Sequence, residues 1–414
     1  MAGETKIKSI DIKSFMCFED FVIDCTKGDN SVAQWTVLLG NNNTGKTSLL
    51  KAIAGLRPAR LLFGSRPNSN NPKIKVLPAA ITDSKFFRNI PENHSRIFST
   101  LLHYGKDFAW QYSGDFEEIS IVSPETFNDS FHIYAYGVSR YPASSSLSDY
   151  RSHECATLYS TEDKLINIEE WLMQLDYSAK NEKNLAANRL YRIQEIICSG
   201  LFPEITNFRF ESSDELHNYM EFQTKDGWVR YTQLGFGYQS MLSWVIDFCK
   251  RMFERYPESE NPLHESAVVL IDEIDLHLHP EWQRNIISFL SNAFPKTQFI
   301  VTTHSPLVIQ SMENVNLYVL HRNGDKVHIN RSLNSNFIGW TVEEILRDTM
   351  MMDDDIRTDK YQVQRNIFND GLNQEDYTKA KEAYDVLMKI LHPNNPTRQL
   401  MELQLSYLKH DKVD

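Results

Sequence analysis

No apolar run in this 414-residue sequence approaches the ~20 residues needed to cross a bilayer, which excludes a helical membrane span. The opening residues Met1 to Lys8 lack a hydrophobic signal core, so the expected location is the cytoplasm, with no membrane partner. Cysteine is sparse. Cys17, Cys25, Cys155, Cys198 and Cys249 show no short paired spacing, which favours free thiols over a disulfide framework or a zinc site. Positive charge is in deficit, at a formal net charge of -12. Proteins that coat nucleic acid are usually basic, so any DNA contact here has to come from a local patch or through a complex. There is no internal repeat and no heptad run long enough for a coiled-coil arm.

What is present reads as an ordinary globular chain, long enough for one large domain plus an extension. Ile7 to Asp24 alternates apolar and polar residues like a β-hairpin. Trp35–Leu39 is a buried strand ending at Gly40, and Leu49, Leu50, Ile53 and Leu56 recur at helical spacing after it. Residues 58–130 read mostly as an insertion, with a loop at Ser65–Pro72 and strands near Glu118–Val122 and Phe131–Gly137. A second loop is expected at Ser144–Ser148. Ile168, Trp171, Leu172 and Leu175, then Leu190, Ile193 and Ile197, mark two helices of a small lobe at about 160–204. Phe208/Phe210, Met220/Phe222 and Trp228–Tyr231 are strand-like, and a helix follows from Ser240 to Arg251. Ala267–Ile271, the helix Trp282–Phe294 and the strand Phe299–Thr303 complete a head spanning 1–336. Residues 337–414 form a helical extension, broken at His392–Pro396.

Gly40-Asn41-Asn42-Asn43-Thr44-Gly45-Lys46-Thr47 matches G-x-x-x-x-G-K-[ST] between a strand and a helix, with Ser48 in the first turn. Glycines allow a tight turn whose N–H groups face phosphate oxygens, aided by the positive end of the helix. Lys46 then reaches the β- and γ-phosphates of ATP, and the Thr47 hydroxyl ligates Mg²⁺. Val268–Ile271 is a buried strand that runs into Asp272 and Glu273. Two adjacent acids there are costly without a cation, so Asp272 is placed to hold the Mg²⁺ shell and Glu273, just past the strand, to polarise the attacking water.

The run Ile271–Pro280, followed by Thr302-Thr303-His304-Ser305-Pro306, resembles the corresponding segments of ABC-type ATPases, in particular RecF-like and SMC-like heads. The resemblance implies an α/β P-loop head with a mixed central sheet, an antiparallel β subdomain and a helical lobe. It also implies that Asp275 crosses a dimer interface and that His304 contacts the γ-phosphate. His277 and His279 alternate like zinc ligands without a companion cluster and are read as structural. The signature run of such heads aligns with Leu234-Gly235-Phe236-Gly237-Tyr238-Gln239, which would act in trans on a partner's ATP; Gly235 stands where a serine is usual. Ser139 or Arg140 either approaches the nucleotide from the place of the Q-loop or belongs to a plain loop.

About 225 residues separate Thr47 from Asp272, more than is usual in transport ATPases, and the arms of chromosome-scale members are missing. The compact OLD-like heads fit best. Their frequent nuclease domain does not: only about 110 residues follow His304, most of them helical, and Asp353–Asp355 reads as an exposed loop. Gly339–Leu346, Tyr377–Pro396 and Met401–Leu405 resemble the ending of the ATPase subunit of Septu anti-phage systems and its retron-associated relatives, which work with an HNH nuclease. The implied protein is an ATP-hydrolysing switch, a homodimer or higher even oligomer through its heads, governing a separate HNH-type nuclease. The alternative is a RecF-like repair ATPase that binds DNA directly. Leu387, Ile390 and Leu391 suggest an apolar face that either binds the nuclease or packs on the head.

Overall fold

The run Trp35–Leu39 carries one polar residue, Thr36, and calls for a strand covered on both faces. A computed structural model describes residues 5–410 except 14, 16, 19, 56–94, 104–105, 115–118, 123–131, 144–153, 199–201, 203, 216 and 351–356. Strands are β1 (Thr5–Lys13), β2 (Phe21–Asp24), β3 (Trp35–Gly40), β4 (Ser95–His103), β5 (Lys106–Gly114), β6 (Ile119–Val122), β7 (Ile133–Tyr136), β8 (Asn207–Ser212), β9 (Asn218–Thr224), β10 (Gly227–Arg230), β11 (Ala267–Ile271), β12 (Thr297–Thr303), β13 (Asn316–Asn323) and β14 (Lys326–Arg331). Helices are α1 (Lys46–Ala54), α2 (Ala156–Tyr159), α3 (Ile168–Lys180), α4 (Asn184–Ile196), α5 (Phe236–Arg255), α6 (Pro280–Ala293), α7 (Pro306–Gln310), α8 (Val342–Glu344), α9 (Asp359–Asn373), α10 (Tyr377–Ile390) and α11 (Pro396–His410). The chain divides into Met1–Val342 and Glu343–Asp414.

The first unit is built on a sheet ordered β14-β13-β3-β12-β11-β7, parallel except for β14. Every residue of β3, β7, β11 and β12 is buried, as expected where both faces are covered. The C-terminal ends of β3 and β11 lie on either side of β12, so the phosphate loop and the acidic pair emerge along one sheet edge, the usual place for a ligand in an open α/β sheet. A second, antiparallel sheet is ordered β2-β1-β4-β5-β6. It shares a core with the central sheet through Ile10, Ile12, Ile23, Leu38, Leu49 and Ile300. The buried Gln298 carboxamide fastens the two, its Oε1 accepting from Ile7 N–H and its Nε2 donating to Ile7 O, both at 2.8 Å. The third sheet, β10-β9-β8, is antiparallel.

Several expectations shift. The read insertion contains β4 and β5, which join the β1–β2 hairpin instead of standing apart from it. Ser99-Thr100-Leu101-Leu102 does not alternate, which hid the strand. The hairpin β13–β14, turning at Gly324 with φ 61°, was masked by its polar second arm. Leu56, the loops at Ser65–Pro72 and Ser144–Ser148, and Asp353–Asp355 fall outside the described residues. Helix α5 begins at Phe236, four residues before the expected Ser240.

Helix α5 is tied to β7 by a buried cluster. The Tyr136 hydroxyl donates to Asp247 Oδ2 at 2.9 Å, and Arg251 Nε donates to the same oxygen at 2.6 Å. Asp247 has no exposed surface, and burial, reinforced by the Asp247 charge, holds the Tyr136 phenol well above its ordinary pKa. Truncating one member of such a pair leaves the other uncompensated. Asp247→Asn should therefore lower the unfolding free energy by about 3–5 kcal/mol in a urea titration, whereas breaking a part-exposed surface pair such as Lys250–Glu254 should cost about 0.5 kcal/mol.

In the second unit α9, α10 and α11 enclose Tyr361, Phe368, Ala380, Ala383, Leu387, Leu391, Met401 and Leu405. Leu387 and Leu391 are buried there, and only Ile390 of the expected apolar face points outward, at 38% exposure. That face is internal packing of the helical unit, because α10 needs two sides to meet both neighbours. Among the described residues no helix is long and apolar enough to cross a membrane.

Candidate active site

Strand β3 ends at Gly40, where a Cβ would come within 2.6 Å of Leu320 O and 2.8 Å of Thr44 Oγ1. The chain then turns through Asn43 and Gly45, both at positive φ, and a Cβ at Gly45 would strike the Phe18 ring at 2.7 Å. Asn41, Asn42 and Asn43 are exposed on this loop, Thr44 is buried with its hydroxyl donating to Asn41 O, and Ser48 is half-buried in the first turn of α1. Lys46 opens α1 and folds back over the loop, its Nζ donating to Gly40 O at 2.8 Å and Asn41 O at 2.9 Å. Burial draws the Lys46 amine down to about 8, against the opposing pull of Asp272, Glu273 and Asp275.

The two halves of the site meet at Asp272. Thr47 Oγ1 donates to its Oδ2 and Thr302 Oγ1 to its Oδ1, both at 2.7 Å. Glu273 lies past the end of β11 with φ 48°, in the left-handed region that a non-glycine residue rarely occupies. Its Oε1 is 4.0 Å from His304 Nε2, at the end of β12. Burial and the nearby Lys46 charge lower the His304 pKa, favouring the neutral imidazole. Asp275 Oδ1 accepts from Thr303 Oγ1 at 2.6 Å. Lys46, Thr47, Asp272, Glu273, Asp275 and His304 thus form one cluster across the ends of β3, β11 and β12.

The run Leu234–Gln239 stands apart from that cluster. Gly235 caps α5, and Phe236, Gly237, Tyr238 and Gln239 form its first turn. Leu234 is buried, and its carbonyl accepts from Gln239 Nε2 at 2.7 Å. Gly237 rests on the turn after the acidic pair, where a Cβ would lie 2.3 Å from His277 O. The exposed Phe236 ring meets His277 and Tyr141, while Tyr238 donates to Glu204 and packs edge-on to Trp282. Among the described residues no hydrogen bond or ring contact joins this run to the phosphate loop. Gly235 has room for a side chain, its Cβ meeting only Tyr238 at 3.7 Å. His277 has positive φ in the turn, and His279 caps α6 by accepting from Glu281 N–H.

Two residues of the site were given no role by the motifs, and a third was left between two places. Thr302 and Thr303 supply hydroxyls to the acids, and their only signal is a threonine pair ahead of His304. Arg140, one of two residues expected near the nucleotide or in a plain loop, is 3% exposed and lies under the acidic turn. Its partners are the carbonyls of Gly137, Asp272 and Glu273.

Residues 35–310, which contain both halves of this cluster, match the profile of the family described as "AAA domain, putative AbiEii toxin, Type IV TA system". The chain belongs to this family. Within the AAA-domain proteins it is 33% identical over 214 residues to the Septu protein PtuA of Bacillus thuringiensis, covering 50% of this chain and 53% of that protein. It is 28% identical over 345 residues to the Septu protein PtuA of Bacillus mycoides, covering 82% and 44%. The "Retron Ec83 probable ATPase" of Escherichia coli shares 35% identity over 178 residues, covering 43% and 32%. The chain spans about half the length of the curated PtuA relatives it matches. Among solved structures, the SMC head domain from Thermotoga maritima aligns at 13% identity and a TM-score of 0.44, over 80% of this chain and 100% of that one.

Proposed function

We propose that this AAA-domain protein is an ATP-binding and ATP-hydrolysing switch subunit of an anti-phage defence complex, whose heads pair around ATP and govern a separate HNH-type nuclease. The observation that carries the ATPase part is the 2.7 Å hydrogen bond from Thr47 to Asp272, which joins the phosphate loop to the acidic turn. The defence part rests on the likeness to the PtuA and retron proteins and on the sequence resemblance of the C-terminal helices.

The donor set, one hydroxyl and one carboxylate, suits Mg²⁺, a hard cation that favours oxygen ligands. Thr47 and Asp272 would hold it, and when bound it supplies charge neutralisation at the phosphate oxygens. Lys46 binds the β- and γ-phosphates in place of the loop carbonyls it now touches. Glu273 takes the proton as the water oxygen attacks the γ-phosphorus and the bond to the β–γ bridging oxygen breaks, giving ADP and phosphate. Neutral His304 orients that water and the γ-phosphate. Leu234–Gln239 of one head caps the ATP of the other through the N–H groups at the start of α5, and Asp275 reaches across the same interface. ATP adds contacts only to the paired heads, so its hydrolysis shifts the population toward separated ones.

Purification of the tagged chain from its native host, with ATP and after nucleotide depletion, tests the whole reading. An HNH nuclease should copurify, with its activity on DNA changing between the two conditions. Recovery of the chain alone, with salt-sensitive DNA binding of its own, would replace this reading with the RecF-like one.

A further inference from the structure

We infer that Arg140 is the positioning residue for the water-activating carboxylate: it grips the backbone on both sides of Glu273 and so fixes where that side chain points. This rests on the ATPase reading for its consequence and on backbone geometry for its substance.

Glu273 sits between two peptide groups, and each is held at both ends. In the first, the Asp272 carbonyl accepts from Arg140 Nη2 and the Glu273 N–H donates to Thr302 Oγ1 at 2.7 Å. In the second, the Glu273 carbonyl accepts from the same Nη2 at 2.6 Å, and the Ile274 N–H donates to Thr302 O at 3.0 Å. Two residues therefore fix both dihedral angles of a glutamate held at φ 48°, where a side chain is disfavoured and something must hold it. The Glu273 side chain itself remains part-exposed, free to meet a water.

A neutral donor could hold a carbonyl at less cost than a buried guanidinium. The planar guanidinium sets one terminal nitrogen, Nη2, against two successive carbonyls while its Nε holds a third. Its own position is set by Nε donating to Gly137 O at 2.7 Å. Gly137 in turn packs so closely that a Cβ would lie 2.0 Å from Thr157 O. Asp272, Glu273 and Asp275 supply the surrounding negative charge. The next residue, Tyr141, places its ring 5.4 Å from that of Phe236 in the proposed trans-acting run. Displacement of that run is thereby felt one residue away from the grip on Glu273.

The test is a double-mutant cycle in the full chain. Arg140→Gln should cut turnover at saturating ATP at least 30-fold while changing ATP affinity less than threefold. In a Glu273→Gln background the same change should cost less than threefold, because the residue it acts through is already disabled. Arg140→Lys, which keeps the charge but has no second donor to hold Gly137 O, should behave like Arg140→Gln. Equal losses in both backgrounds, or a parallel loss of ATP affinity, would overturn the proposal. Hydrogen exchange over 271–278 gives a readout independent of turnover: Arg140→Gln should raise it at least tenfold there and leave α6 unchanged. Unchanged exchange would refute the grip even if turnover fell. Absence of turnover in the unsubstituted protein would instead count against the ATPase reading and leave the exchange result to decide the grip.

Discussion

Lys46→Ala is expected to weaken ATP binding by about 10²- to 10³-fold in a calorimetric titration, while the free protein melts within a few degrees of the unsubstituted one. The ammonium now donates to the carbonyls of Gly40 and Asn41 and stands among Asp272, Glu273 and Asp275. A triphosphate offers it far stronger acceptors, and a charge-assisted contact of that kind contributes about 1.5–3 kcal/mol. Loss of the positive charge also leaves the three carboxylates to face the phosphates unopposed. Stability responds less, since the alanine removes a buried cation along with its two hydrogen bonds. Full affinity in the alanine variant would remove the phosphate loop from the proposed function.

Glu273→Gln is expected to lower ATP turnover by about 10²- to 10⁴-fold, the range associated with a positioned proton acceptor. Affinity should be kept, because glutamine preserves shape and the grip on the backbone at 273 involves carbonyl and amide groups that the substitution leaves in place. With ATP held and not consumed, paired heads should accumulate, visible as a nucleotide-dependent doubling of mass in light scattering. Unchanged turnover would assign the proton to another group. Fast turnover without pairing would separate hydrolysis from the proposed closure.

Much of the central sheet was legible because buried parallel strands write themselves as apolar runs: Trp35–Leu39, Ala267–Ile271 and Phe299–Thr303 correspond to β3, β11 and β12. The phosphate loop and the acidic pair were legible because fixed residue types recur there at fixed spacing. Less could be read where partners are distant in sequence. β4 finds its place by pairing with β1, some ninety residues earlier, and β13 by lying beside β3. Arg140 was legible only as a residue either near the nucleotide or in a plain loop; its hold on the acidic turn was not, since hydrogen bonds to carbonyls leave no trace in side-chain identity. Leu387 and Leu391 gave the right helix and the wrong neighbour, because an apolar stripe states that it is covered and not by what.

Helix α5 packs against the turn after the acidic strand at its start and is hydrogen-bonded to the residue before that strand at its far end. At the start, Gly237 rests on the carbonyl of His277; at the far end, the hydroxyl of Tyr256, which follows the helix, donates to Ser266 O at the foot of β11. A rod pinned twice to the same beam does not swivel against it. A push on residues 234–239 from outside is therefore delivered straight to the acidic turn, and through the Thr47–Asp272 hydrogen bond to the loop before α1.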